Sequence, residues 1–130
     1  MDKSYGNQSK NQELSDRLLD FTVSIIKLVR KLPRDMTGNH LSLKLLRFGT
    51  SPGVYYEQAR SAESKVDFIL KLGIILEELK ESRYWLKVIE KASLMQPDRI
   101  CPLLNECEVL IAIISKSIFT TKKSRKIKQV

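Results

Sequence analysis

The sequence has few of the residues that build turns, β-strands and metal sites. Its 130 residues include five glycines, four prolines, two cysteines and one histidine, and only 7% are aromatic. An all-β domain would need more turn residues and more β-branched and aromatic side chains. One histidine cannot complete a zinc site with two cysteines that stand six positions apart. The composition therefore predicts a mainly helical domain that holds no metal and no other cofactor.

The chain also lacks a long apolar run. No stretch reaches the roughly 18 apolar residues needed to span a bilayer, and the first ten residues, MDKSYGNQSK, lack the apolar segment of a secretory signal. We therefore expect a cytoplasmic protein without membrane contact, in which Cys101 and Cys107 are free thiols. With 42% hydrophobic residues in 130, one core is expected and two are not.

Positive charge is concentrated at the C-terminus. The formal net charge is +8, and the last ten residues contain five cations and no acid. Removing those five leaves only +3 for the first 120 residues. We expect residues 121–130 to form a disordered basic tail, because they offer little apolar surface for packing.

Four segments repeat their apolar residues at three- and four-residue intervals, as amphipathic helices do. The predicted elements are a flexible segment at 1–11 and helices at about 12–32, 40–60, 64–94 and 102–119. Short connections between four such helices predict an all-α, antiparallel, up-and-down four-helix bundle. Within the second helix, Pro52 lacks a backbone donor and its ring crowds the carbonyl of Phe48, so we expect a kink or short break there.

Residues 45–89 match a family pattern over a long stretch, LLRFGTSPGVYYEQARSAESKVDFILKLGIILEELKESRYWLKVI. The matching residues are Leu45, Leu46, Arg47, Thr50, Ser51, Glu57, Ser61, Ala62, Glu63, Ser64, Lys65, Asp67, Phe68, Lys71, Leu72, Ile74, Glu81, Ser82, Arg83, Tyr84, Trp85 and Leu86. This stretch resembles the bacterial four helix bundle protein family, also called the 23S rRNA intervening-sequence protein family. It departs from the family pattern at Phe48, Pro52, Val54 and Tyr55.

The resemblance implies both architecture and partners. It implies four antiparallel helices and a homo-oligomer, since relatives form five-fold rings. One branch of similar proteins serves diversity-generating retroelements as accessory factors that bind a reverse transcriptase and nucleic acid through a basic surface. For members encoded inside ribosomal RNA insertions no activity is established, so the family name gives a genomic location and no chemistry.

Two basic clusters are candidate nucleic-acid contacts, one at the end of the first helix and one in the tail. They contain Lys27, Arg30, Lys31, Arg34, Lys122, Lys123, Arg125, Lys126 and Lys128. Cations that neutralise phosphates release counterions, which makes such binding sensitive to salt. The alternative for the first cluster is favourable electrostatics at a helix C-terminus. For the tail the alternatives are a solubilising end and, less favoured, an anionic membrane surface.

Other polar and aromatic residues have structural alternatives to a functional role. Five polar residues have two alternative interpretations. They form a polar network inside the bundle or between subunits, or they belong to an ordinary solvated face. These residues are Arg47, Glu57, Asp67, Glu81 and Arg83. Four aromatic residues also have two alternative roles. They stack on bases, or they pack in the core or between subunits. These residues are Tyr55, Tyr56, Tyr84 and Trp85.

The pattern of polar residues contains no nucleophile–base pair and no set of metal ligands. We therefore expect a non-enzymatic, oligomeric bundle that binds RNA or DNA non-specifically, with a nucleic-acid enzyme as the partner to which it is an accessory. The alternative is a protein-interaction scaffold that does not bind nucleic acid. A hydrolase or metal enzyme is the least favoured hypothesis.

Overall fold

Four antiparallel helices make up the structure, a computed structural model that describes residues 8–124. They are α1 Gln8–Val29, α2 Met36–Arg60, α3 Lys65–Lys91 and α4 Pro97–Lys123. The connections are too short to return a helix in the same direction, so consecutive helices pack antiparallel. Each helix contacts the next, and α1 closes against α4. The predicted all-α, up-and-down four-helix bundle is confirmed. None of the helices in this part of the chain is long and apolar enough to cross a membrane.

The core consists mainly of aliphatic side chains on the inner faces of the helices, with two phenylalanines, one tyrosine and one cysteine. The largest fully buried side chains are Leu18, Phe21, Ile25, Leu45, Leu72, Ile75, Leu79, Leu86, Ile89, Ile100, Leu110 and Ile114. Burial of each such side chain contributes about 1.5–3 kcal/mol to folding. The three- and four-residue spacing identified most of this core. It failed at Val66, which was expected on the inner stripe and is 70% exposed.

A side-chain cap starts α2 earlier than the sequence analysis predicted. The carboxylate of Asp35 accepts a hydrogen bond from the backbone N–H of Gly38 at 2.8 Å, which satisfies one of the free donors at a helix start. The Gly38–Asn39 pair, which we interpreted as a turn, therefore lies in the first turns of the helix. At α3 the expected cap is present, since the Ser64 hydroxyl accepts from the N–H of Asp67 at 3.0 Å.

Pro52 lies inside α2 and does not end it. The helix continues to Arg60, so the short break considered as an alternative is absent. One turn back, the hydroxyls of Thr50 and Ser51 donate to the carbonyls of Leu46 and Arg47. Pro52 is itself buried, so its packing against the core offsets the hydrogen bond that its ring removes.

The start of α1 and the end of α3 also differ from their predicted positions. α1 begins at Gln8, because Asn11 is buried and accepts a hydrogen bond from the hydroxyl of Tyr56 at 3.3 Å. The segment 8–11 is therefore helical, where the sequence analysis expected flexibility. α3 ends at Lys91, three residues early, because Ser93 has a φ of 55°. That left-handed conformation cannot continue an α-helix.

The observed α4 is longer than predicted at both ends. Pro97, and not Pro102, occupies the first helical turn. Ile100, one turn later, is fully buried, so this part of the chain packs on the bundle as a helix. At the other end Thr121 is buried and the N–H of Ser124 donates to the carbonyl of Thr120 at 3.1 Å. Residues 121–123 therefore belong to the helix, which corrects the prediction of a disordered tail from residue 121. The predicted α1 end at 32 is corrected to Val29, although residues up to Leu32 still form backbone-bonded turns.

Candidate nucleic-acid interface

A groove between α1 and the first turns of α4 collects cations that are far apart in sequence. Its volume is about 1030 Å³. The α1 side contributes three of the predicted contacts and α4 contributes one further arginine; we call Lys27, Arg30, Lys31 and Arg99 the groove cations. All four are exposed. The groove exists because α1 and α4 share the least extensive contact of the four neighbouring helix pairs.

The acids in this groove form no ion pairs with the groove cations. Glu106 is committed to Arg17, whose Nε and Nη2 donate to its two carboxylate oxygens at 3.0 and 2.7 Å. This hydrogen bond raises the pKa of Arg17. Asp20 and Asp98 also line the groove, but none of the groove cations forms an ion pair with another residue in the described range 8–124. The groove therefore has two free acids and four free cations.

The floor of the groove is apolar, and the groove continues around the end of the bundle. Phe21, Leu28 and Leu103 lie beneath the groove cations. A second depression of about 540 Å³ shares Lys31 and Arg99 with the first and extends to the connection between α3 and α4. Positive side chains over a shallow, partly apolar channel can hold a polyanion by its phosphates while its less polar parts lie on the floor.

The structure places the two predicted basic clusters at opposite ends of the bundle. Lys122 and Lys123 lie in the last turn of α4, whereas Arg99 lies in its first turns. A helix of 27 residues is about 40 Å long. Because α1 ends where α4 begins, the last turn of α4 lies at the end of the bundle opposite the groove. Arg34 is exposed on the α1–α2 connection and does not line the groove. Three further candidates lie outside the described residues: Arg125, Lys126 and Lys128.

Arg17 and Arg99 are the residues of the groove that the sequence analysis did not select. Arg99 stands between the predicted helices at 64–94 and 102–119, so the sequence analysis placed it in a connection. The signal that could have found it is Pro97, a favourable first residue for a helix. A helix starting there places Arg99 at the same end of the bundle as the end of α1.

The five residues proposed for a polar network are spread over the surface of the chain. Asp67 pairs with Lys71 at 3.2 Å, Arg83 pairs with Glu108 at 3.0 Å, and Glu57 accepts a hydrogen bond from Ser15. Arg47 instead lies over the ring of Phe48, 5.0 Å from its centroid, and Glu81 is exposed. Three of the five thus bind partners outside the set. Contacts of this kind fit a solvated face of helical-neighbour and interhelical pairs better than a network inside one chain.

The aromatic residues divide into buried and exposed ones. Tyr56 is buried, and the loss of hydration raises the pKa of its phenol to about 12. Tyr55 and Trp85 are half-buried and pack against the core, so packing is their role within the chain. Tyr84 differs, since 60% of its surface is exposed.

Both cysteines are free thiols, as predicted. Cys107 is buried and donates to the carbonyl of Leu79 at 3.3 Å. Burial raises the pKa of its thiol to about 12, so the reactive thiolate is scarce at neutral pH. Within residues 8–124, no three histidine, cysteine, aspartate or glutamate side chains are grouped so that they could hold a metal ion.

Among solved structures, the chain is similar to the crystal structure of a protein of unknown function from the S23 ribosomal protein family of Bacteroides thetaiotaomicron VPI-5482. The two chains are 30% identical and superpose with a TM-score of 0.76, over 81% of this chain and 97% of the other. No family model matches the sequence, and no curated protein matches it.

Proposed function

This chain belongs to the S23 ribosomal protein family, and we propose that it is a non-enzymatic, oligomeric bundle protein that binds nucleic acid non-specifically. The observation that carries the proposal is the convergence of the groove cations, one in the last turn of α1, two just after its end and one in α4, without ion-pair partners among the described residues. The 23S rRNA intervening-sequence branch and a cytoplasmic location are part of the same proposal. The partner protein would be a nucleic-acid enzyme to which this chain is an accessory.

Helix-end electrostatics alone does not account for this arrangement. A cation in the last turn of a helix gains about 0.3–1 kcal/mol from the helix dipole, which accounts for Lys27 at the end of α1. It does not account for Arg99, which lies in the first turns of α4, where the dipole disfavours a positive charge. A phosphate bound between the two helices would compensate the charges on both sides of the groove.

The proposal predicts binding that weakens steeply with salt. With four phosphate contacts, affinity for labelled single-stranded RNA or duplex DNA is expected to fall by about 50- to 150-fold between 50 and 200 mM salt. Fluorescence anisotropy measures this directly. A shortened protein ending at Ser124 keeps all of α4 and removes the remaining tail cations. We expect this protein to keep most of its binding and to show a shallower salt dependence.

Two results would contradict the proposal. Absence of binding by both proteins at low salt would remove the nucleic-acid function and leave the protein-interaction scaffold. If the shortened protein does not bind nucleic acid at all, the nucleic-acid contact lies in the tail and not in the groove.

An exposed apolar face supports self-association and also the scaffold alternative. The side chains are spaced so that each set lies on one side of its helix, and α1 packs directly on α2. This α1–α2 apolar face consists of Leu19, Val23 and Ile26 with Leu43, Leu46 and Val54, which are 37% to 68% exposed. Contiguous apolar surface of this kind marks protein contacts. We propose that a second copy of the chain covers it in a homo-oligomer, with the five-fold ring as the expected assembly.

Substitution within this face tests the oligomer. Leu43→Glu places a charge in the proposed interface, and we expect it to weaken association by at least about 10-fold. Light scattering at several protein concentrations measures the mass. Val109→Glu, on an exposed apolar position of α4, is the matched control and should leave the mass unchanged. If Leu43→Glu also leaves the mass of an assembled protein unchanged, the interface lies elsewhere.

A further inference from the structure

One face of α3 carries a stripe of cations interrupted by an exposed aromatic ring. The stripe consists of Lys80, Tyr84, Lys87 and Lys91. Steps of four, three and four residues place these positions on the same side of a helix. All four side chains are exposed, and Tyr84 has 60% of its surface open to solvent. At about 1.5 Å per residue the stripe is about 16 Å long, with one cation near each turn.

The ring of Tyr84 packs against the half-buried indole of Trp85. It contacts the indole of Trp85 edge-on, with ring centroids 5.0 Å apart and an angle of 83°. Trp85 is fixed in turn by the ring of His40, 5.7 Å away at 80°, and by Lys44, whose Nζ lies 6.0 Å from the indole centroid. This contact leaves 60% of the surface of Tyr84 exposed to solvent. A supported aromatic ring with an open face is the feature on which unpaired bases stack.

The lysines of the stripe are not held in close ion pairs of their own. Lys80 and Lys91 form no ion pair with another residue of the described part of the chain. Lys87 lies 4.0 Å from Glu108 of α4, but that carboxylate also accepts from Arg83 at 3.0 Å. The exposed acids of α3 beside the stripe are Glu77, Glu81 and Glu90, and none of them pairs with its lysines. The three ammonium groups are therefore available to the phosphates of a ligand.

We propose that this stripe binds single-stranded nucleic acid, with phosphates on the lysines and one unpaired base stacked on Tyr84. The inference rests on the proposed nucleic-acid binding and assigns it a ligand class. A duplex would not use Tyr84, because its bases are already stacked on one another. A protein partner is less favoured, because lysine is depleted in protein–protein interfaces.

The stripe leads to the groove already described. Lys91 is the last residue of α3, and its neighbour Glu90 lines the smaller depression together with Lys31 and Arg99. A single strand laid along α3 toward this end of the bundle therefore reaches the groove cations. Tyr84 contributes the base contact, and the groove contributes phosphate contacts.

The test separates stacking from charge by changing both partners. The probes are a labelled single strand and an otherwise identical strand whose nucleotides lack bases, measured by anisotropy. We expect the natural protein to prefer the base-bearing strand. Tyr84→Ala should weaken binding to that strand by about 5- to 100-fold and leave the abasic strand unchanged. Tyr84→Phe retains the ring and should retain the preference.

Each other outcome overturns the inference in a distinguishable way. If the natural protein binds both strands equally and with steep salt dependence, the proposed function stands and the stacking site does not. If Tyr84→Ala weakens both strands alike, or changes the mass of the protein in light scattering, Tyr84 is a packing residue. If the natural protein binds neither strand at low salt, the proposed function and this inference fail together.

Discussion

Replacement of Lys27, Arg30 and Lys31 by glutamine is expected to weaken nucleic-acid binding by about 100-fold near physiological salt. All three side chains are exposed and line the α1–α4 groove. Each cation that neutralises a phosphate contributes through counterion release, and removal of three contacts also flattens the dependence of affinity on salt. Glutamine is a good helix former, so α1 itself should persist. Anisotropy titrations at several salt concentrations measure both the affinity and the slope.

The matched control removes the same charge from the other end of the bundle. Lys116, Lys122 and Lys123 are exposed residues of α4, and the last two were candidates in the sequence analysis. Their replacement by glutamine should change affinity by less than about 10-fold, because the three residues lie about 25–36 Å along α4 from Arg99. If the two triple variants lose affinity equally, net charge drives binding and the groove has no special role. If only the control loses affinity, the contact belongs to the tail.

The same variant also tests the structural alternative for the basic cluster. If the cations only complement the dipole of α1, their loss should lower the free energy of unfolding by about 1–3 kcal/mol in total and leave binding intact. If they contact phosphates, binding should be lost with little change in stability. Denaturant unfolding of the unliganded protein, followed by circular dichroism, separates these outcomes.

A second large effect, on the stability of the fold, is expected when Gly38 is replaced by alanine. A Cβ at this position would lie 1.7 Å from the carbonyl oxygen and 2.8 Å from the carbonyl carbon of Pro33. Both are backbone atoms, so the whole α1–α2 connection would have to move. The movement would also disturb the Asp35 cap, whose carboxylate accepts from the Gly38 N–H at 2.8 Å. We expect Gly38→Ala to lower the free energy of unfolding by about 2–4 kcal/mol.

Gly73→Ala is the matched control for that substitution. Gly73 lies inside α3, and a Cβ there would meet nothing within 4 Å. Alanine loses less backbone entropy than glycine in a helix, so this variant should gain about 0.5–1 kcal/mol. Urea unfolding with unchanged m-values compares the two. If Gly38→Ala is as stable as the natural protein, the Pro33 carbonyl has moved away and the close approach is not required by the fold.

The sequence predicted the helices and the inner faces well, because both depend on local periodicity. Leu18 and Ile25 in α1, and Leu72 and Leu79 in α3, are seven residues apart, as one buried helix face requires, and all four are fully buried. The helix starts were harder, because two local signals competed at each. Gly38 indicated a turn while Asp35 three residues earlier was the cap, and Pro102 indicated a start that Pro97 in fact provides.

The candidate site was only half predictable for a different reason. Lys27, Arg30 and Lys31 stand close together in sequence, so their cluster is visible in the printed chain. Arg99 joins them only through the packing of α4 beside α1, a tertiary arrangement without a local signal. Charge alone likewise carries no information about which end of the bundle the cations near the C-terminus occupy.

The weak closure between α1 and α4 affects how the chain folds and deforms. Three of the four interhelical contacts join helices that are neighbours in sequence, and folding that relies on such local contacts is fast. The fourth joins the first described helix to the last and is the least extensive. Its opening therefore leaves the interior between α2 and α3 in place and costs little of the total stability. The seam that bears the groove cations is thus where the bundle can change its width most easily.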